Sequence, residues 1–176
     1  EHIKRVAKYS KILALAYGLD ETEASMIELA SPMHDIGKIA ISDDILNKPT
    51  RLTFEEFEII KTHTQKGYEM LSVSSRPLLK MAATIAYSHH EKYDGTGYPL
   101  GLKGENIPLY GRITAIADVF DALSQDRCYK KAWHIDDILE YIKKEEGTYF
   151  DPVLVDLFFK NIDTILEIKE KYQDKN

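Results

Sequence analysis

Cysteine is nearly missing from this chain: Cys128 is the only one among 176 residues. No intrachain disulfide can form, and a structural zinc site built from several thiolates is excluded. Long hydrophobic runs are missing too, since every apolar stretch falls far short of the roughly 20 residues a membrane span needs. The first residues do not read as a signal peptide. Positive charge is in the minority, with 23 Lys and Arg against 29 Asp and Glu and a net charge of -6. That balance argues against a DNA- or RNA-binding surface, but it leaves room for a small phosphate ligand held by local cations or metal ions. No stretch reads as a convincing β-strand, and there is no internal repeat or low-complexity segment.

What remains is the composition of an ordinary globular domain, 44% hydrophobic and 30% charged, long enough to bury one sizeable core. The chain opens on Glu1-His2 in what already reads as helix. The expectation is therefore a domain over residues 1–168 taken from a longer protein, followed by a charged, frayed tail over 169–176. The domain itself is expected to be cytoplasmic, with any membrane anchoring of its parent left open.

Apolar residues recur at helical spacing from Ile3 to Ala16, with Gly18 as a stop. A second helix follows Asp20 and reaches Met33, with Pro32 placed to kink or restart it. Asp43 to Leu46 suggests a short helix. Thr53 and Glu56 form a capping-box pattern that opens a helix leading through His63 to Leu71. Leu78 to His90 reads as one helix whose apolar stripe continues onto His89 and His90. The stretch from Leu109 to Leu123 is the most hydrophobic helix, and Ile135 to Ile142 repeats an amphipathic pattern. Asp151-Pro152 caps a last helix running past Ile165. The class is all-α, a multi-helix bundle with a metal site in its core.

Taken singly, each histidine has a plain structural reading: a cap, a surface residue, or a ring oriented by a neighbouring carboxylate. Yet His34, Asp35, His63, His89, His90 and Asp118 all fall at helix ends or on buried helix faces. Asp118 sits among apolar neighbours, where an ionised carboxylate needs Arg112, Arg127 or a metal to neutralise it. One shared cause explains these residues better than separate ones. Imidazoles and carboxylates without cysteine suit manganese, iron or zinc, and the ligands exceed what one ion takes. Two metal ions bridged by Asp35 are inferred. Such a pair activates a water and clamps the oxygens of a phosphoryl displacement. Lys38, one turn beyond His34, and Arg127 are then available to hold phosphate oxygens.

The residues His34-Asp35 with Gly37-Lys38, His63 with Gly67, the run from His89-His90-Glu91 to Gly97-Tyr98-Pro99, and Ala117-Asp118-Val119-Phe120-Asp121-Ala122-Leu123 together resemble the HD-GYP family. The resemblance extends from His2 to about Val155, and the His-His-Glu to Gly-Tyr-Pro run is its most specific part. It implies a bacterial phosphodiesterase that opens cyclic di-GMP to pGpG, and in some members to GMP, through a metal-bridging hydroxide. It implies two or three divalent ions, commonly iron or manganese. Carried over by motif, the metal ligands are His2, His34, Asp35, His63, His89, His90 and Asp118, with Asp35 and Lys38 as the catalytic residues. Lys38, Arg127 and Lys130 match positions that contact substrate phosphates. Gly97, Tyr98 and Pro99 form the loop bordering the substrate, which in some members also docks diguanylate cyclases.

Two positions depart from the family pattern. A glutamate that precedes the first histidine by one turn in three-metal members falls before Glu1, and Cys128 stands where proline is common. Three alternatives stay open: a hybrid cyclic GMP-AMP substrate, a metal-binding regulatory module without turnover, and a homodimer joined through the first helix.

Overall fold

The computed structural model describes residues 1–126 and 131–174. Ten α-helices account for most of them: α1 (His2–Tyr17), α2 (Glu21–Ala30), α3 (Asp43–Leu46), α4 (Phe54–Lys61), α5 (His63–Ser72), α6 (Pro77–Ser88), α7 (Leu109–Ser124), α8 (Ile135–Lys144), α9 (Pro152–Lys160) and α10 (Ile162–Lys171). Short 3₁₀ turns occupy Ser31–Met33, Ile36–Ala40 and Gly104–Asn106. No strand is formed among the described residues, so the fold is the all-α bundle expected.

Local signals set most helix starts. The Asp20 side chain accepts from the Glu23 amide at 2.8 Å, Thr53 and Glu56 complete a reciprocal capping box, and Asp151 caps α9 with Pro152 in its first turn. Each satisfies backbone donors that a helix N-terminus leaves without partners. Pro32 restarts rather than kinks: α2 ends at Ala30 and a 3₁₀ turn carries the chain to His34.

Three boundaries differ from the sequence expectation. The helix expected from Thr53 through His63 breaks at Thr62, whose hydroxyl donates to the Ile59 carbonyl at 2.5 Å and so offers the backbone a local alternative to continued helix. The last helix breaks at Asn161, whose side-chain amide donates to the Leu157 carbonyl at 2.8 Å. Beyond that break α10 continues to Lys171, and Asp174 pairs with Arg5 at 3.0 Å. The helix thus runs past residue 168, where the domain was expected to end.

The core lies between α1, α2, α6, α7 and α9. Tyr9, Phe120 and Phe158 meet there edge to face, with centroids 5.3 and 5.2 Å apart, an arrangement that aligns ring edges with ring faces. Val6, Leu13, Ile27, Ile85, Ile116 and Leu154 are fully buried around them. At the edge of this core two backbone segments nearly touch. A Cβ on Gly37 would lie 1.9 Å from the His63 carbonyl oxygen. Only glycine lets the turn after Asp35 press against the start of α5.

Candidate metal centre

Five of the six histidines converge at one end of this core, and they form two groups whose ligand atoms lie within 4.8 Å of one another. Asp35, His63, His89 and His90 make the first; His2, His34 and Asp118 make the second. The sixth, His134, caps α8 on the surface.

Helix ends deliver the first group. His63 opens α5, while α6 ends at Ser88, so that His89 is its C-cap and His90 lies just beyond. His89 continues the buried face of α6 as expected, its amide donating to the Ile85 carbonyl at 3.0 Å, while His90 lies past the helix end and faces His63 with centroids 5.1 Å apart. The second group is gathered from α1, from the turn after α2, and from the middle of α7.

The unused nitrogen of each buried ring is fixed by backbone. His34 Nδ1 donates to the Ser31 carbonyl at 2.7 Å, His63 Nδ1 to Ile60 at 2.6 Å, and His89 Nδ1 to Ile85 and Ala86 at 3.1 Å each. A carbonyl can only accept, so Nδ1 carries a proton in each ring and Nε2 is the nitrogen left to serve as a ligand. Those Nε2 atoms, together with Asp35 Oδ1, are buried with no hydrogen-bond partner. Unpaired polar atoms are costly in a protein interior. Here they point at one another's neighbourhood, and a divalent cation would satisfy them together.

Asp35 faces both groups. Its Oδ1 lies 3.2 Å from His63 Nε2 and 3.6 Å from His89 Nε2, while Oδ2 lies 3.5 Å from His34 Nε2. Asp118 Oδ1 lies 3.5 Å from His34 Nε2 and 3.6 Å from His2 Nε2. Arg112 plays no part in neutralising Asp118, because it pairs with Asp151 at 2.6 Å.

Electrostatics follow from this crowding. Burial pushes the Asp35 carboxyl up, but the close rings of His63 and His89 and the charges of His34 and Lys38 outweigh it and hold the group well below the usual carboxylate range. Asp118 is likewise held low, burial being overcome by His34. Burial lowers His89 and His90, which keeps them neutral. For His34, burial pulls down but Asp118 and Asp35 prevail, and its pKa is raised to about 9. Ionised carboxylates and neutral imidazoles are the forms that bind metal.

Lys38 Nζ lies 2.6 Å from Asp35 Oδ2 and is partly exposed at the rim. The Gly97-Tyr98-Pro99 loop folds over the first group. Tyr98 stacks on His90, centroids 4.8 Å apart and planes 19° apart, and its amide donates to the His90 carbonyl at 3.2 Å. A Cβ on Gly97 would lie 2.4 Å from that same carbonyl oxygen, so the loop's fit requires glycine. Lys61 sits over both Phe57 and Tyr98, 5.2 and 5.5 Å from their centroids. Lys61 and the loop border a groove of about 330 Å³. A groove of about 480 Å³ lies between α2, α6 and the start of α7; neither groove is lined by a clustered residue, but the smaller one is walled by Tyr98, which stacks on His90, and is the candidate substrate site. Arg127 and Lys130, expected to contact phosphates, lie outside the described residues, as does Cys128.

Three contributors escaped sequence reasoning. Asp121, one turn after Asp118, bonds His2 Nδ1 at 2.6 Å, and Arg5 donates to Asp121 at 2.6 Å. Glu91, buried, accepts from the Leu100 and Leu102 amides at 2.7 and 3.0 Å and ties down the loop after Pro99. A second carboxylate in the apolar Asp118 helix was the available signal for Asp121.

A family model described as HD domain matches residues 1–154. The chain is 48% identical over 173 residues to 3'3'-cGAMP-specific phosphodiesterase 2 of Vibrio cholerae, covering 98% of this chain and 33% of that protein. It is 48% identical over 158 residues to the cyclic di-GMP phosphodiesterase response regulator RpfG of Xanthomonas campestris, covering 90% and 42%. A cyclic di-GMP phosphodiesterase of Thermotoga maritima is 42% identical over 175 residues, covering 99% and 48%. The chain thus spans between a third and a half of these relatives. Among solved structures, a cyclic GMP-AMP phosphodiesterase of V. cholerae matches with a TM-score of 0.70 at 20% identity, over 95% of this chain and 45% of that one. The HD domain of the Listeria monocytogenes phosphodiesterase PgpH, solved with cyclic di-AMP, matches at 0.64 and 20% identity, over 99% and 92%. The histidine-aspartate clusters, the loop that stacks on them and the family match lead to one conclusion: this chain belongs to the HD domain family, in its HD-GYP branch.

Proposed function

We propose that this chain hydrolyses a phosphodiester bond of a cyclic dinucleotide, with cyclic di-GMP as the first substrate to test and pGpG as its first product. The observation that carries the reading is Asp35, whose two oxygens face two separate histidine clusters. The clusters would hold two divalent ions, iron or manganese, one with Asp35, His63, His89 and His90 and one with His2, His34 and Asp118. When bound, such ions supply positive charge to the phosphoryl oxygens and acidify a water. A third ion would need a ligand beyond these two groups.

The chain's own residues do the rest. Backbone carbonyls hold His34, His63 and His89 in the tautomer that offers Nε2. Lys38 carries a mobile positive charge at the rim, where it can move from Asp35 to a phosphate oxygen. Tyr98 and Lys61 form a wall against which a nucleobase can stack. Arg127 and Lys130 are proposed to bind phosphate on the strength of the motif alone.

A second substrate, 3'3'-cyclic GMP-AMP, is favoured by a specific observation: the relative named for it is as similar to this chain as the one named for cyclic di-GMP. Metal content and turnover of both dinucleotides by manganese- and iron-reconstituted protein test the proposal. Release of pGpG or GMP supports cyclic di-GMP, and preference for the hybrid dinucleotide reassigns the substrate. Bound metal without turnover of either one returns the chain to a regulatory, protein-binding role.

A further inference from the structure

His2 differs from His34, His63 and His89 in what holds its ring. His34, His63 and His89 are oriented by carbonyls from the turns next to them, whereas His2 stands in the first turn of α1 with 37% of its side chain exposed. No backbone group among the described residues holds its ring. Its Nδ1 instead donates to Asp121 Oδ2 at 2.6 Å, which leaves Nε2 directed toward Asp118.

Asp121 is itself gripped. Its side chain is 1% exposed, and Arg5, fully buried, reaches it through Nε to Oδ1 at 2.6 Å and through a terminal nitrogen to Oδ2 at 3.1 Å. The guanidinium has two further partners, both from beyond α10: the Tyr172 carbonyl at 2.6 Å and Asp174 Oδ2 at 3.0 Å. A buried bidentate pair has a fixed geometry, and a buried arginine left without acceptors is strongly destabilising. The four groups form one continuous path from the surface at Asp174, through Arg5 and Asp121, to the ring of His2.

We propose that Asp121 is the positioning residue that makes His2 a metal ligand, and that Arg5, clamped by residues 172–174, keeps Asp121 in register. Occupancy of the His2, His34 and Asp118 cluster then depends on how the segment after α10 is seated, while the Asp35, His63, His89 and His90 cluster does not. The proposal deepens the two-ion reading of the site and rests on it. A carboxylate that accepts from a ligating histidine fixes its tautomer and raises its basicity, and its loss costs about 10- to 100-fold in metal affinity.

Manganese titration of the whole chain, followed by ions bound per chain and by electron paramagnetic resonance, tests this. The wild type is expected to take two ions with an exchange-coupled signal. In Asp121→Asn, which preserves shape, the second ion should bind about 10- to 100-fold more weakly while the first is unchanged, and the coupled signal should give way to that of an isolated ion. A purely structural role for Asp121 would lower the melting temperature of the metal-free protein without this selective loss. Asp174→Ala tests the outer end of the path, and its half-exposed position makes misfolding no obstacle. It should weaken the second ion by up to about fivefold, the yield of a partly exposed ion pair. If Asp121→Asn, or Asp174→Ala should the former not fold, keeps both wild-type affinities while the wild type binds two ions, the positioning role is wrong and the two-ion reading survives. A wild type that never takes a second ion overturns both.

Discussion

The two clusters are built by different means. In the first, His63 and His89 are locked by carbonyls of their own turns, and the turn after Asp35 is pressed onto α5 by Gly37. In the second, His34 is locked in the same way, but His2 depends on Asp121, Arg5 and a segment more than 160 residues distant. Locally fixed ligands cost little further entropy when a metal binds. A ligand held through a chain of side chains is sensitive to everything along that chain. On the positioning role proposed for Asp121, the first cluster would be the anchor of the site and the second the part open to tuning.

Changes at single residues separate the two. Asp35→Ala removes the one group shared by both clusters, and we expect turnover of the dinucleotide to fall by roughly three orders of magnitude, a loss of about 4 kcal/mol of transition-state stabilisation. Metal analysis should show both ions gone. His63→Ala is expected to strip only the first cluster, with activity down about 100-fold, whereas His2→Ala leaves that ion in place and costs about tenfold. Equal losses from these two substitutions would erase the contrast between the clusters.

The clusters should also differ with pH. His34 in the metal-free protein has its pKa raised to about 9, so the stability it contributes is full below the ordinary histidine range and fades as pH rises through 9. Metal must displace that proton, and binding to the second cluster is expected to tighten by up to about tenfold per pH unit until about 9. His89 and His90 are held neutral by burial, so the first cluster should load with a shallower dependence. Parallel titrations at about pH 6.5, about 7.5 and about 8.5, which span the histidine range, measure both slopes. The smallest effect is expected at the loop. Tyr98→Ala removes a ring stack worth about 1 kcal/mol, and should raise KM several-fold while sparing both ions. Loss of metal in that variant would show that Tyr98 supports His90 more than it contacts substrate.

Most helix starts were legible because their causes are local: Thr53 with Glu56, Asp20, and Asp151 with Pro152 cap their own helices. The breaks at Thr62 and Asn161 were not, because the apolar pattern runs on through both and only a side chain bonding its own backbone interrupts it. Asp118 could be flagged as a carboxylate needing a partner, but Arg112 was as plausible a partner as any until the fold sent it to Asp151. Asp121 had the same signature in the same helix. Its meaning lay in Arg5, 116 residues away, and no local pattern connects them.

The sequence by itself determined the helical class, the candidate ligand types and the loop that borders the groove, because periodicity, caps and the choice of imidazole and carboxylate over thiolate are properties of nearby residues. Only the tertiary structure decided that the candidate ligands divide into two groups, that Asp35 faces both, and that the His2 ring is joined through Asp121 and Arg5 to the segment after α10. Those are distances between residues brought together by burial of a common core, and such distances exist only once the chain has folded.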